Sequence, residues 1–206
     1  EYNEGVFVGY RYYDKKEMAV RYPFGHGLSY TTFEYSDIKL SDTAVGDDDI
    51  LTVNVVITNT GNCAGKEIVQ LYVADKSGFA VRPEKELKDF IKIELQPGER
   101  KTVTFRLDKR AFSYYNEELG DWYAPNGKYD IMIASSSRDI RLTAEVTHKT
   151  AVKLPFVATE NTVFGEFMDY AEGKATIDLL FSKVAKGLLG GDHFEPEAVR
   201  SMIGSM

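Results

Sequence analysis

Apolar and polar residues alternate with a period of two along several separate stretches of the chain. The clearest stretch begins at Leu51, where Leu51, Val53, Val55 and Ile57 alternate with mostly polar neighbours. Such a pattern is typical of a strand with one buried face. Comparable patterns, each closed by a turn, predict strands near residues 33–40, 51–58, 67–74, 89–95, 101–107, 127–134 and 139–147.

Seven short strands separated by turns favour a mainly β fold, an antiparallel two-sheet sandwich of the immunoglobulin or fibronectin type III kind. The content of 13 Tyr and 12 Phe agrees with this class, because aromatic residues favour strands. In the first strand the apolar positions change parity between Tyr35 and Ile38, which predicts a bulge near Ser36 and Asp37. The longest interval between strands, residues 109–126, predicts the largest loop.

The two ends of the chain follow other patterns. Val6, Phe7 and Val8 are apolar on both faces of a strand, which predicts an N-terminal linker strand that needs partners outside this chain. Beyond Leu154 the apolar residues recur at helical spacing, which predicts helices near residues 163–168, 177–188 and 196–203. We therefore expect residues 1–30 to be a linker and the end of a missing α/β domain, residues 31–150 the sandwich, and residues 151–206 a truncated helical extension.

Composition and charge exclude several classes of function. The net charge of -7 comes from scattered carboxylates and no Lys/Arg block is present, so a nucleic-acid partner is disfavoured. No apolar run has the length of a membrane span, so no membrane partner is expected. Cys63 is the only cysteine, which rules out an internal disulfide and suits a reducing compartment.

Six motifs carry a specific likeness, and they run in order along the first three quarters of the chain. They are GYRYYD at Gly9 to Asp14, YPFGHGLSYTTF at Tyr22 to Phe33, NTGNCAGKEIVQLYV at Asn59 to Val73, RPEKELKDF at Arg82 to Phe90, LQPGERKTVTF at Leu95 to Phe105 and SSSRDIRL at Ser135 to Leu142. Together they resemble the C-terminal part of family-three glycoside hydrolases of the β-glucosidase type.

This resemblance implies a fibronectin type III-like domain, preceded by the linker that leaves the α/β sandwich domain of such enzymes. Family members hydrolyse terminal β-linked glucose, and sometimes other sugars, with retention of configuration. Retention uses two carboxyl groups about 5–5.5 Å apart, and in the family both lie upstream of the region matched here. Asp121-Trp122 is then a coincidental match to the family's nucleophile motif.

We therefore expect a non-catalytic region that needs no cofactor, stabilises the catalytic domains and shapes the cleft. Its partners would be the missing barrel and α/β sandwich of the same enzyme, with a β-glucoside substrate at the cleft rim. A bacterial cytoplasm is the favoured location, although a targeting signal could lie elsewhere in a longer chain. A stand-alone enzyme and one chain of a split enzyme are the alternatives.

Structural or solvent-exposed roles, without catalysis or metal binding, are favoured for most of the polar candidates. Glu117, Glu118 and Asp121 are expected to be solvated loop carboxylates, because adjacent residues of a strand point to opposite faces. Asp47, Asp48 and Asp49 lack the spacing of a calcium loop, so a solvated turn is favoured. His26, His148 and His193 lack the spacing of paired metal ligands, such as H-x-x-x-H. They are assigned packing or surface roles, without a metal site. Cys63 is interpreted as a small turn residue.

The aromatic residues of the largest loop are the remaining candidates. They are Tyr114, Tyr115, Trp122 and Tyr123. Sugar rings can lie against exposed aromatic rings, so these residues could bind substrate, and the alternative function is a carbohydrate-binding module. The competing interpretation is that they close one end of the sandwich, because large aromatic residues are mostly buried.

Overall fold

The computed structural model describes residues 3–155, 173–180 and 183, which fall into two compact units, Glu1–Lys153 and Leu154–Met206. In the second unit residues 173–180 are helical, which overlaps the helix predicted near residues 177–188. The helices predicted near residues 163–168 and 196–203 lie outside the described residues, as does His193. Within the described ranges, no helix combines the length and hydropathy needed to cross a membrane.

Most regular elements of the first unit are strands, which confirms the mainly β fold. Its elements in chain order are α1 Tyr10–Lys15, β1 Phe33–Leu40, β2 Ala44–Val45, β3 Leu51–Asn59, β4 Gly65–Asp75, β5 Glu86–Leu95, β6 Arg100–Leu107, α2 Lys109–Phe112, β7 Tyr114–Asn116, β8 Asp121–Tyr123, β9 Gly127–Ser136 and β10 Asp139–His148. Seven of these strands correspond to the predicted ones. The short strands β2, β7 and β8 and both helices were not predicted.

The strands form two large sheets and one small hairpin. One sheet has the order β1-β3-β6, the other has the order β2-β10-β9-β4-β5, and β7 pairs with β8. The pairing is antiparallel except at one edge, where β2 runs parallel to β10, so the expectation of a purely antiparallel sandwich is wrong there. The predicted bulge is confirmed, because the register shifts between Ser36 and Lys39 and Asp37 has a φ of 54°.

The two large sheets share one hydrophobic core. Alternate residues of β3 point into this core from one sheet, and alternate residues of β4 and β9 point into it from the other sheet. The fully buried members include Leu51, Val53, Val55, Ile57, Val69, Leu71, Ile131 and Ile133. Burial of each such side chain contributes about 1.5–3 kcal/mol relative to an exposed position. The period-two pattern of the sequence therefore identifies the inner faces of both sheets.

Strand β4 differs from its neighbours because both of its faces are buried. Val69, Leu71 and Val73 face the core, while Gln70 and Tyr72 on the opposite face are also inaccessible to solvent. The second face is covered by the N-terminal residues 3–32, which we call the linker segment. This segment positions the candidate site described next.

The predicted linker strand at Val6 to Val8 is not formed. Residues 3–6 form a turn, and the next regular element is α1. Gly5 and Gly9 flank the apolar residues with φ angles of 55° and 58°, which are left-handed and interrupt an extended backbone on both sides. Val6 and Val8 are about half exposed instead of buried on two faces.

Candidate docking face

Aromatic contacts fix the start of the linker segment to the outer face of β4. The Tyr10 ring stacks on Phe24 with ring centroids 4.5 Å apart, and it meets the buried ring of Tyr72 edge-on at 6.2 Å. Its hydroxyl accepts a 2.9 Å hydrogen bond from the backbone N–H of Leu87, the second residue of β5. Tyr10 therefore joins α1 both to the sheet and to the turn of the linker that contains Phe24.

The side chain of Gln70 holds that turn through its amide group. Its Nε2 donates to the carbonyl oxygens of Gly25 at 3.0 Å and Ser135 at 2.7 Å, while its Oε1 accepts from the Tyr72 hydroxyl at 2.6 Å. Gly25 has a φ of 76°, and a Cβ atom there would overlap the Gln70 amide. Only glycine fits this close approach, since it tolerates the left-handed conformation and has no side chain.

A buried carboxylate fixes the C-terminal end of α1. Asp14 is 8 % exposed, and its Oδ1 accepts a 2.7 Å hydrogen bond from Arg138 Nε while its Oδ2 lies 3.3 Å from Lys85 Nζ. Arg138 Nη2 also donates to the carbonyl oxygens of Tyr13 and Met18. A charge buried to this extent is tolerable only with such partners, so the contacts hold the helix in one position.

The linker segment also presents large apolar side chains to solvent. Leu28 is 91 % exposed and Tyr30 is fully exposed. We call the nine exposed apolar residues of the segment the docking face; they are Val6, Val8, Tyr12, Tyr13, Met18, Tyr22, Phe24, Leu28 and Tyr30. Large exposed apolar patches typically mark contact sites, so a single segment with nine exposed apolar side chains suits contact with a partner.

A groove of about 720 Å³ lies beside the docking face, between the linker turn and strands β1 and β4. In it the Tyr35 hydroxyl donates to Glu67 Oε1 at 3.0 Å, and Arg141 pairs with Asp139 at 2.7 Å. Burial raises the pKa of Glu67, while the Tyr35 hydrogen bond opposes that shift. Leu28 forms part of its wall, so the groove combines apolar and polar contacts.

The predicted aromatic residues are brought together as two pairs on opposite faces of the β7–β8 hairpin. Tyr114 lies opposite Tyr123, and Tyr115 lies opposite Trp122. Tyr123 is buried, and its ring contacts Tyr114 at 6.1 Å and Phe79 at 5.8 Å. This inner pair packs at the end of the sandwich, as the competing interpretation expects.

The outer pair of the hairpin is accessible to solvent. Tyr115 is 51 % exposed and meets Trp122 edge-on, with ring centroids 5.6 Å apart. The guanidinium of Arg110, which belongs to α2, lies over one face of the Trp122 indole. The side of this pair that a ligand could reach therefore consists mainly of Tyr115 and the uncovered part of Trp122.

Most of the acidic candidates are exposed, and Asp47 is the exception. Glu117, Glu118 and Asp121 are exposed at the hairpin turn, which confirms that they are solvated. Asp47 differs from the predicted solvated turn, because its carboxylate lies 3.4 Å from Lys109 Nζ and accepts a hydrogen bond from Thr150 Oγ1 at 2.5 Å. Its neighbours Asp48 and Asp49 are exposed, and across the described ranges no cluster of His, Cys, Asp and Glu could hold a metal ion.

His148, His26 and Cys63 have packing, surface and turn roles. His148 is fully buried between the rings of Phe112 and Tyr129, and burial lowers its pKa although Asp47 opposes that shift. His26 is exposed and stacks on Tyr22. Cys63 lies in the turn after β3, where its thiol donates to the Tyr30 carbonyl. None of these side chains forms a nucleophile and base pair.

Comparison with known proteins agrees with this architecture. The model of the fibronectin type III-like domain family matches residues 67–137, which extend from β4 to the turn after β9. Thermostable β-glucosidase B of Acetivibrio thermocellus is 49% identical over 188 residues, which are 91% of this chain and 25% of that protein. An exo-α-(1→6)-L-arabinopyranosidase of Bifidobacterium breve is 45% identical over 167 residues, 81% of this chain and 22% of that protein.

A solved structure extends the comparison to the fold. The GH3 β-glucosidase of Bifidobacterium adolescentis superposes with a TM-score of 0.73 at 41% identity, and the match covers 85% of this chain and 26% of that one. The sandwich is thus a fibronectin type III-like domain. The chain belongs to the family-three glycoside hydrolases, as their C-terminal fibronectin type III-like region. It spans about a quarter of the length of the curated relatives it matches.

Proposed function

We propose that this chain is the non-catalytic scaffold of a larger glycoside hydrolase that removes terminal β-linked glucosyl residues. The docking face binds the catalytic domains, stabilises them and shapes the rim of the cleft. The nucleophile and the acid/base of the retaining reaction belong to those domains. The sugar specificity belongs to them as well, which is consistent with a β-glucosidase and an arabinopyranosidase both being relatives.

One observation carries this proposal: exposed apolar side chains lie on a segment that is itself held rigidly. Leu28 and Tyr30 extend into solvent, while Gly25 and Asp14 of the same segment are fixed to the sandwich by Gln70 and Arg138. A surface that is held in one conformation loses little conformational entropy on binding. The fixed linker therefore suits a permanent contact with a partner domain.

Replacing Leu28 by serine tests the docking face. In the complete parent enzyme the variant is expected to lose about 1.5–3 kcal/mol of stability, because a buried leucine side chain would become polar. In the 206-residue chain alone the same change should have almost no effect, since Leu28 is 91 % exposed there. Thermal unfolding of both proteins, together with hydrolysis of an aryl β-glucoside, measures the difference.

Val81→Ser is the matched control, because Val81 is 84 % exposed but lies in the loop between β4 and β5. It should leave both proteins unchanged. Equal stability of the parent enzyme with and without Leu28→Ser would contradict a docking role for this residue. Hydrolysis by the 206-residue chain alone, after removal of contaminating glycosidase, would contradict the assignment of catalysis to other domains.

A second candidate function is a carbohydrate contact at the outer face of the β7–β8 hairpin. The observation that favours it is the cross-strand pair of Tyr115 and Trp122, in which Tyr115 is half exposed. Sugar C–H groups can pack on aromatic rings of this kind. The buried Tyr123 and its partner Tyr114 would support the pair from the inner face.

Trp122 is the only tryptophan of the chain, so the tryptophan fluorescence comes from this site alone. A soluble β-glucan or cellobiose is expected to change the emission with saturation, and Tyr115→Ala should weaken this response by about tenfold, or 1.4 kcal/mol. Tyr30→Ala, at another exposed tyrosine, should leave the response unchanged. No emission change with any glucan would remove the carbohydrate-binding function.

A further inference from the structure

The guanidinium of Arg82 connects three elements at the end of the sandwich. Its Nη1 lies 3.2 Å from Asp75 Oδ2 at the end of β4, and its Nη2 lies 2.7 Å from Glu86 Oε2 at the start of β5. It also donates to the carbonyl oxygens of Phe112, the last residue of α2, at 2.7 Å and of Ser113, the next residue, at 3.2 Å. The side chains of Arg82 and Asp75 are only 7% and 5% exposed.

The carboxylate of Glu86 extends this network to the linker segment. Its Oε1 lies 3.2 Å from Arg11 Nη2 of α1, while its Oε2 binds Arg82 and lies 3.4 Å from Lys88 Nζ. The next residue, Leu87, donates its backbone N–H to the Tyr10 hydroxyl. Two contacts, one ionic and one neutral, therefore join α1 to the start of β5.

The opposite end of the network is the base of the aromatic hairpin. The carbonyl groups that Arg82 binds belong to Phe112 and Ser113, and β7 begins at the following residue, Tyr114. Arg110, two residues before Phe112 in α2, places its guanidinium over the Trp122 ring. The position of α2 thus determines both where the hairpin begins and what covers the indole.

We infer that Arg82 is the positioning residue of the β7–β8 hairpin, and that the contact from Arg11 to Glu86 couples the hairpin to the linker segment. Because an arginine fork can satisfy carboxylates and carbonyls in several directions, a lysine could not replace it. A domain bound at the docking face would then influence the orientation of Tyr115 and Trp122. This inference goes beyond the scaffold function and does not require that the hairpin bind sugar.

Trp122 emission and its quenching by acrylamide test the inference in the 206-residue chain. Arg82→Lys keeps the positive charge, and it is expected to shift the emission to longer wavelength and to raise the quenching constant. Arg11→Met should move both quantities in the same direction by less, because the ion pair of Arg11 reaches the hairpin only indirectly, through Glu86 and Arg82. Arg141→Met, which removes an exposed ion pair to Asp139, should change neither.

Circular dichroism identifies variants that remain folded. If Arg82→Lys lowers the free energy of unfolding but leaves emission and quenching at the wild-type values, Arg82 is only a stabilising residue and the inference is wrong. Wild-type values for Arg11→Met would overturn the coupling to the linker. Should Arg82→Lys fail to fold, Glu86→Gln provides the same test, since it breaks the connection on the other side of Arg82.

Discussion

Replacement of Arg82 by methionine is expected to lower the free energy of unfolding by about 3–5 kcal/mol, because it removes the arginine partner of two largely buried carboxylates. Asp75 would lose its arginine partner at a side-chain exposure of 5%. Glu86 would retain Arg11 and Lys88 but lose its shortest contact. The carbonyl groups of Phe112 and Ser113 at the end of α2 would lose the Arg82 donors as well, and each unsatisfied group adds to the loss.

Denaturant unfolding at neutral pH measures this loss, and two variants calibrate it. Arg82→Lys retains the charge but not the planar fork, so its loss should be smaller than that of Arg82→Met. Arg141→Met removes a comparably charged but exposed residue, so a change of at most about 1 kcal/mol is expected. A loss under about 1 kcal/mol for Arg82→Met would show that water or nearby cations compensate the two carboxylates.

The pH dependence of the same variant provides an independent check. Burial alone would raise the pKa of Glu86, but Lys88, Arg82 and Arg11 together hold it below its usual value of 4.5. A carboxyl group whose pKa is lower in the folded than in the unfolded protein stabilises the folded state at pH values above its unfolded pKa. This contribution is lost as the pH falls through the folded pKa. Without Arg82 the pKa of Glu86 is lowered less. The difference in free energy of unfolding between wild type and Arg82→Met should therefore become smaller in acid.

The strands of the sandwich could be predicted from the sequence because their burial is periodic and local. The predicted bounds of β1 agree with the structure at both ends, and β3 differs by one residue. A residue on such a strand needs only to face the opposite sheet, and the period of two records that requirement. The bulge at Asp37 could also be predicted, because it changes the parity of the alternating apolar and polar positions.

The linker segment was harder to predict because its contacts are distant in sequence. Asp14 meets Arg138 across 124 positions, and no period within either motif reveals that contact. A signal did exist in β4, where Leu71, Tyr72, Val73 and Ala74 form a run that is apolar on both faces and therefore requires cover on both. The apolar residues at Val6 to Val8 raised the same requirement, but their flanking glycines allowed a turn instead of a strand.

The aromatic candidates were found as a set but not as two pairs with different surroundings. Their separation depends on the register of two strands of three residues each, with Tyr115 opposite Trp122. Strands this short contain too few residues for a periodic pattern. The ion pair of Arg82 and Glu86 left no comparable signal, because RPEKELKDF contains charged residues throughout and no pattern separates these two from the others.

Asn59 is the site of the second large effect, because its buried amide makes four hydrogen bonds. Its Nδ2 donates to the carbonyl oxygens of Cys63 at 2.9 Å and Leu95 at 3.1 Å. Its Oδ1 accepts from Thr31 Oγ1 at 2.6 Å and from the backbone N–H of Gly61 at 3.1 Å. One side chain thus joins the end of β3, the following turn, the end of β5 and the last part of the linker segment.

Asn59→Asp keeps the shape of the side chain but replaces the amide donor by an oxygen. Two carbonyl groups would then face a carboxylate without a hydrogen bond, and we expect a loss of about 2–6 kcal/mol at neutral pH. Asn54→Asp is the matched control in the same strand, because the Asn54 Oδ1 only accepts from Thr104 at an exposed position. That control should change stability by about 0.5 kcal/mol or less.

The loss caused by Asn59→Asp should also shrink as the pH is lowered. Burial beside two carbonyl oxygens disfavours the charged carboxylate, so the pKa of the introduced aspartate must rise above its unfolded value of about 3.9. As the pH falls through that raised pKa the carboxyl binds a proton, becomes a donor to one carbonyl and recovers part of the stability. The loss of stability relative to wild type should therefore be smaller at about pH 4 than at about pH 7. An equal loss at both pH values would mean that it comes from displaced backbone and not from the missing donor.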